Sequence, residues 1–536
     1  MTKAVLTTHK FVLFILVIAI IFQGCSASYF RGNYKEASEL LRASESAPEK
    51  LYLKAHLNNG QAYILRDTWE VDTTRRVLTG NGFKYDINRK LIDSGPTSIP
   101  LDSIAILETN QDLEQIRKDD ITYLSVLGTI DATLGIICII SPKTCFGSCP
   151  TFYINGEDNP HHAHAEGFSN AVTPSTEYTD IDALGYSTSG IDTFSVMMKN
   201  EAWETHNIKQ VRLLAAAKGK DEEVYHSPDD TFYRCDRKLI PGKATAEEGD
   251  ITNLLLEADK TERFSLADEN NMRSKEEILL TFDPDTDLKH PGLLMSFRQS
   301  LMSTYLFYTA MDYMGSYYTE IIAEMETTGT SENLLYNTIL AELGGIEVHV
   351  WNSNEKSWEL QGSFSETGPI AFNHQLLPLQ QYDTDENLKV KIILNKGYWR
   401  IDHIALTNIR EEVEPLILQP EVVLNKGVKD HRAEKILNDD ENHLVALPGS
   451  AYQLKFVLPS ADDEYSVFIQ SRGYYMEWLR KNWLEDNRLL KLRQMVKNPR
   501  RYLRKEAGSY KEYEKKMEEL FWNSRIDTKS FTSNEN

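Results

Sequence analysis

The sequence predicts an α+β chain of several modules, mainly antiparallel β-sandwich or barrel units, with a helical hairpin and a helical C-terminal tail. Three observations carry this. Short apolar-alternating runs separated by Asn, Gly and Pro recur along most of the 536 residues, as in antiparallel sheets with one solvated face. Two stretches, before Gly344 and after Tyr474, change to helical spacing. The length itself suggests three or four domains.

The elements follow in order. Residues 1–24 read as a signal peptide: Lys3, His9 and Lys10 precede an apolar core from Phe11 to Phe22. That core fits a secretory h-region and is short for a spanning helix. Gln23-Gly24-Cys25 closes it and resembles a bacterial lipobox, although Gln23 stands where a small residue is usual. The resemblance implies that Cys25 carries a diacylglycerol and becomes the new N-terminus, with acyl chains (palmitate among them) holding the chain to a membrane. An ordinary signal peptide with an incidental cysteine is the alternative.

Residues 25–112 read as a small β domain. It has hairpins about Asn59-Gly60 and Asn81-Gly82, of the Asn-Gly type that tight turns favour, and a last strand alternating Ile99, Leu101, Ile104 and Ile106. Residues 113–145 hold an apolar helix and a cysteine loop. The run Ile121 to Ile140 is long enough to span a bilayer. Asp131 at its centre, and the small face of Gly128, Ala132 and Gly135, favour a buried or membrane-lying helix instead. With Cys25 acylated, four cysteines remain, and Cys145-Phe-Gly-Ser-Cys149 is the natural local disulfide, since Gly147 permits the tight reversal.

Residues 146–245 read as a β-sandwich, 246–343 as a linker and helical hairpin, 344–472 as a second β-sandwich, and 473–536 as a basic helical tail. In the hairpin, Phe297, Leu301, Tyr305, Tyr308 and Met311 fall at helical spacing. A faint echo links the two sandwiches: VMMKNEAWETHNIKQVRLL around Trp203 and KIILNKGYWRIDHIALTNI around Trp399. The tail is rich in Arg and Lys. It is either a helix lying on an anionic surface or one packed through Trp478 and Trp483 on the acidic body; the packed form is favoured.

KTCFGSCPTFY, NEAWETHNIKQVRLLAA, RQSLMSTYLFYTAMDYMG, KGYWRIDHIAL and QSRGYYMEWLRKNW resemble stretches of long, uncharacterised lipoproteins of Bacteroidota-type bacteria. The resemblance spans most of the chain beyond the signal. It implies a cell-envelope location, in the outer membrane of a Gram-negative bacterium, and no transferable activity.

Chemistry is sparse. The formal net charge of −22 argues against nucleic acid as a partner. Gly185-Tyr186-Ser187-Thr188-Ser189 misses the last glycine of a nucleophile elbow and reads as a polar loop. His162, His164 and Glu166 would share one face of an extended strand, a weak metal candidate beside the simpler reading of an exposed hairpin tip. Asp283, Asp285 and Asp287 lack the rest of a calcium loop. Arg298 and Asp312 read as paired charges or ligand contacts. No catalytic residues, metal or cofactor are expected. The expectation is a lipid-anchored binding or scaffolding protein with a protein or glycan partner. An envelope hydrolase or carbohydrate-active enzyme with an unrecognised site is the alternative.

Overall fold

A computed structural model describes residues 52–57, 61–72, 74–85, 91–109, 149–154, 163–172, 176–202, 204–284, 288–315, 339–365, 368–380, 387–447, 449–477 and 488–524. Antiparallel sheet dominates them. The signal run with Cys25, the apolar run 121–140, Cys138, Cys145, His162, Asp285, Asp287, Trp203, Trp478 and Trp483 lie outside the described residues.

The first sheet joins β1 (Tyr52–Leu57), β2 (Ala62–Asp72), β3 (Val77–Tyr85), β4 (Leu91–Pro100) and β5 (Ile104–Thr109) in the order β4-β3-β2-β1-β5. Its core is Leu53, Ala55, Leu65, Leu78 and Ile99. The expected hairpin between β1 and β2 is present, with His56 opposite Ala62. Asn81-Gly82 is not a turn: both residues sit inside β3, opposite Arg66 and Leu65. A Cβ on Gly82 would lie 1.9 Å from the Ile64 carbonyl oxygen. Close approach of a neighbouring backbone, rather than a reversal, explains this glycine.

From Cys149 the chain builds β6 (Thr151–Ile154), β7 (Ala165–Glu166), β8 (Tyr178–Thr188), β9 (Thr193–Lys199) and β10 (Glu204–Lys218). The stretch expected as a polar loop around Gly185 is therefore strand. Gly185, at φ +61°, sits where the pairing of β8 shifts register, and Ser187 hydrogen-bonds the Glu223 carboxylate.

Next come β11 (Glu222–His226), β12 (Phe232–Leu239), β13 (Lys243–Ala246), β14 (Gly249–Asp250), β15 (Arg263–Phe264), β16 (Lys275–Phe282) and β17 (Pro291–Gln299). Helix α1 (Met302–Met314) follows, then β18 (Ile346–Asn352), β19 (Ser357–Phe364), β20 (Asn373–Pro378), β21 (Leu388–Asn395) and β22 (Trp399–Glu412). The expected helix thus starts late. PGLLMSFRQ is a strand buried at every position. Such a run has no period-two signal to set it apart from a buried helix.

The chain closes with β23 (Leu416–Leu418), β24 (Val422–Asn425), β25 (Val428–Lys429), α2 (His431–Asp439), β26 (Leu444–Ala446), β27 (Ala451–Val457) and β28 (Glu464–Glu477), then α3 (Leu489–Lys497) and α4 (Pro499–Ser524). Asp430 caps α2 by accepting the Ala433 N–H at 2.9 Å.

Strand pairing makes two sandwiches. The sheets β25-β24-β27-β9-β6-β7 and β23-β10-β28-β8, the latter with β26 on β10, face each other. They enclose Phe152, Phe194, Leu213, Leu454, Phe456 and Ile469. This sandwich draws its strands from both 151–218 and 416–477. Between those stretches lies the second, β12-β11-β20-β17-β22-β15 against β14-β13-β16-β21-β18-β19, around Leu280, Leu293, Val348, Val390, Ile404 and Trp399. One outer face of each meets the other: Ala183, Leu214, Ala216 and Phe468 pack on Val224 and Phe232. The rings of Phe232 and Phe468 meet edge-on at 5.0 Å.

The sequence echo has a structural counterpart. β9 leads through a short turn to β10 in the facing sheet, and β21 leads likewise to β22. In each sandwich a second crossover, β27 to β28 or β16 to β17, pairs with the first on both sheets. Trp399 opens β22 and is 2% exposed. Its ring lies edge-on to Phe297 at 5.8 Å, and its N–H donates to the Gly344 carbonyl at 3.3 Å.

Helices α3 and α4 dock beside α1. Leu492 and Met495 of α3, then Tyr502, Leu503, Ala507, Tyr510, Met517 and Phe521 of α4, form a buried stripe at helical spacing. Among the described residues this stripe seats the helices; Trp478 and Trp483 lie outside them.

Candidate functional site

A pocket opens where the first sandwich meets α1. Cys149 leads into β6; Glu166 is the last residue of β7; Ser169 and Asn170 follow it. Tyr475 and Glu477 stand at the end of β28. The opposite wall is α1 (Ser303, Thr304, Leu306, Phe307, Tyr308) with Ile339, Leu340 and Met495, and the loop Gly368-Pro369 forms the rim. About 70 Å³ is open to water-sized groups, room for a few waters or one small functional group. One side is apolar and aromatic. The other carries two carboxylates with amides and hydroxyls, and among the described residues no Lys, Arg or His lines it.

Its polar groups are held in place by the fold. Glu166 reaches from the first sandwich to the second and accepts the Ile370 N–H at 2.7 Å. Its carboxyl occupies the space a Cβ on Gly368 would need, 2.0 Å away. Tyr308 donates to Glu477 at 2.5 Å. The Tyr475 hydroxyl donates to the Ser169 carbonyl at 3.1 Å, and its N–H to the Ala171 carbonyl at 2.7 Å.

Further carboxylates stand behind the wall. Glu204 lies directly opposite Glu477 across the β10–β28 ladder, and both are buried. Opposed like charges are unfavourable in a sheet unless paired, and Glu204 is paired with His206 Nε2 at 2.7 Å. Glu201 accepts from Thr151 Oγ1 at 2.6 Å and from the Tyr153 hydroxyl at 2.7 Å. Burial first, then the charges of Glu166 and Glu204, push the Cys149 thiol far above its ordinary range. It stays protonated at neutral pH, and a protonated thiol is a poor nucleophile and a poor metal ligand.

Of the sites read from sequence, Cys149 is a buried thiol with no disulfide among the described residues; its expected partner Cys145 lies outside them. Of the weak metal trio, His164 Nδ1 stands 3.4 Å from the Ile154 N–H and Glu166 holds the 370 loop. Among the described residues no group of three His, Cys, Asp or Glu side chains is placed to hold a metal ion. Asp312 pairs with Arg488 at 3.5 Å. Arg298 sits in a network below α4: it binds both Glu262 oxygens, donates to the Pro369 carbonyl at 2.6 Å, and reaches Glu518 at 3.3 Å. Arg400 bridges the same two acids at 2.9 and 3.1 Å. Sequence reading missed Glu477, Glu204 and Tyr308, whose convergence depends on pairing partners far away in the chain.

A second polar cluster lies between the sandwiches. Ser296 Oγ and His374 Nδ1 are hydrogen-bonded at 2.6 Å, and His403 faces Ser296 from the next strand. Burial, then Lys238 and His403, push His374 down to about 4. Asp402, the bulged residue beside His403, is pushed up to about 6, chiefly by burial. Ser296 is 1% exposed. The pair is a buried hydrogen bond between neighbouring strands of the second sandwich.

No family model matches the chain, and no curated protein matches it. Among solved structures it is similar to the secreted serine protease VesC from Vibrio cholerae, over 71% of this chain and 76% of that one. That match has 9% identity and a TM-score of 0.12, and carries no argument. Among the described residues no helix is long and apolar enough to cross a membrane.

Proposed function

We propose that the chain is a lipid-anchored protein of the cell envelope, a lipoprotein held by Cys25 at an outer membrane, that binds a protein or glycan partner. In this reading its sandwiches, a helical hairpin beginning at α1, and the helical tail serve as a scaffold. The observation that supports binding over catalysis is the pocket beneath α1. Its carboxylates are tied to fixed donors, the Ile370 N–H and the Tyr308 hydroxyl, and its thiol is protonated. Such groups orient a ligand's hydroxyls or amines without a base poised to move a proton.

A second reading, an envelope hydrolase acting on glycans, draws on the gathering of Glu166, Glu204 and Glu477 around one pocket, since glycoside cleavage needs two carboxyl groups. One experiment separates the two. Purified wild type and Glu477→Gln are presented with envelope oligosaccharides, and both retention and release of reducing ends are measured. Retention without release supports binding; release that vanishes in the variant supports the hydrolase; neither outcome in wild type removes the glycan partner. Separately, a fatty-acid analogue should label wild type and not Cys25→Ala. Equal labelling of both would remove the anchor.

A further inference from the structure

The chain is strongly acidic, with a formal net charge of −22, yet residues 488–505 carry eight Arg and Lys and no Asp or Glu. All eight side chains are exposed. Two are used locally: Arg488 pairs with Asp312 and Arg500 with Glu342. The other six, Lys491, Arg493, Lys497, Arg501, Arg504 and Lys505, have no acidic partner among the described residues. They stand on α3 and the start of α4, on the side away from the buried stripe of Leu492, Met495, Tyr502 and Leu503. Lys491 also lies over the Tyr313 ring at 5.4 Å, which leaves Arg493, Lys497, Arg501, Arg504 and Lys505 as the outer charges with no ion-pair partner among the described residues. Like charges this dense repel one another, a cost that a counter-surface removes.

We propose that the outer face of α3 and the start of α4 docks on an anionic phospholipid surface. A Debye length of about 10 Å lets the strip act independently of acids elsewhere on the body. Lipid suits the strip better than nucleic acid. Leu490 is 74% exposed between Arg488 and Lys491, an apolar side chain placed to enter the headgroup boundary. No aromatic is exposed along the strip to stack on bases. The inference adds a second membrane contact to the envelope reading. It is tested without the anchor, so that the two can fail separately.

The test uses the chain from Ser26 onward, which lacks both the signal run and the acylated cysteine, co-sedimented with vesicles of phosphatidylglycerol and phosphatidylcholine or of phosphatidylcholine alone, at about 50 and about 500 mM salt. Binding is expected only to the anionic vesicles and only at low salt. Changing Arg493, Lys497, Arg501, Arg504 and Lys505 to Gln should weaken it by about 100-fold or more, at roughly several-fold per charge. Exchanging each Lys for Arg and each Arg for Lys at the same positions should preserve it. An unchanged melting temperature in the Gln variant shows that the fold is intact. Absence of binding to anionic vesicles at low salt, or equal binding by the Gln variant, overturns the proposal. So does a preference for single-stranded nucleic acid over vesicles in direct competition.

Discussion

Replacing Arg298 with methionine should loosen α4 from the sheet below it. Arg298 is 5% exposed, and its guanidinium is the shared donor for Glu262, Glu518 and the Pro369 carbonyl. Removing one partner of a fully buried ion pair costs about 3–5 kcal/mol, because the other charge is left in a poor solvent. Here the stranded acids are partly wetted, with side chains 13% and 22% exposed, and Arg400 still reaches both. A loss of about 2–3 kcal/mol is therefore expected. Arg298→Lys keeps the charge but not the planar fork, and should lose about half as much. The assay is urea unfolding with limited proteolysis in parallel, because α4 is tied to the sheet partly through Glu518. Cleavage within 499–524 should quicken in the variant, and Glu518→Gln should reproduce that with a smaller change in midpoint. An Arg298→Met protein with wild-type midpoint and wild-type resistance of α4 would refute the argument that this network seats the helix.

Other expectations follow from the geometry. His374 titrates near 4 in the folded chain against about 6.5 unfolded. The unfolded state binds more protons between those values, so the stability from neutral His374 is complete above pH 6.5 and lost as pH falls through 4. His374→Gln should lose about 3 kcal/mol less than wild type between pH 7 and pH 4. Asp402, raised to about 6, has the opposite sign: stability falls as pH rises from about 4 to 6. Asp402→Asn should thus lose about 2–3 kcal/mol more than wild type on acidification, read from melts at the two pH values. Gly82→Ala forces a methyl onto the Ile64 carbonyl oxygen. It should destabilise the 52–109 sheet by about 1–3 kcal/mol, seen as faster hydrogen exchange confined to that sheet. Trp399→Ala empties the centre of the second sandwich and should cost about 3–5 kcal/mol in denaturant unfolding.

Strand-rich modules were readable where a sheet keeps one face in water. β18 alternates buried and half-buried residues, and β16 alternates buried and largely exposed ones. Where a strand is covered on both faces, as β17 is, that alternation vanishes and helical spacing arises by accident. Asn81-Gly82 misled for a related reason: the pair is a turn signal only when no neighbouring backbone claims the glycine. Of the site, Cys149 and Glu166 could be singled out from local sequence. Glu477 and Tyr308 could not, because the contact between them spans 169 positions and no local pattern encodes it. The echo around Trp203 and Trp399 was the most informative long-range signal, since it marks equivalent crossovers in two sandwiches.

The nesting of one sandwich inside the other imposes an order on synthesis. β10 runs down the middle of its sheet and finds its main partner, β28, roughly 250 residues later, with Lys218 opposite Glu464 and Glu204 opposite Glu477. The inner sandwich uses only strands from 222–412 and can pair all of them as soon as those have emerged, with one flank of its core left open until α3 and α4 arrive. The outer one cannot. Through the whole of that interval β10 presents an unsatisfied backbone edge and the side chains of Val211, Leu213 and Ala215, a template for wrong pairing. A chain truncated after Glu412 should therefore pair the inner sandwich but aggregate through its orphaned outer half and through the flank that α3 and α4 cover, and nascent chains of that length are the ones a holding chaperone should retain. The last strand made is the one that closes the first sandwich begun.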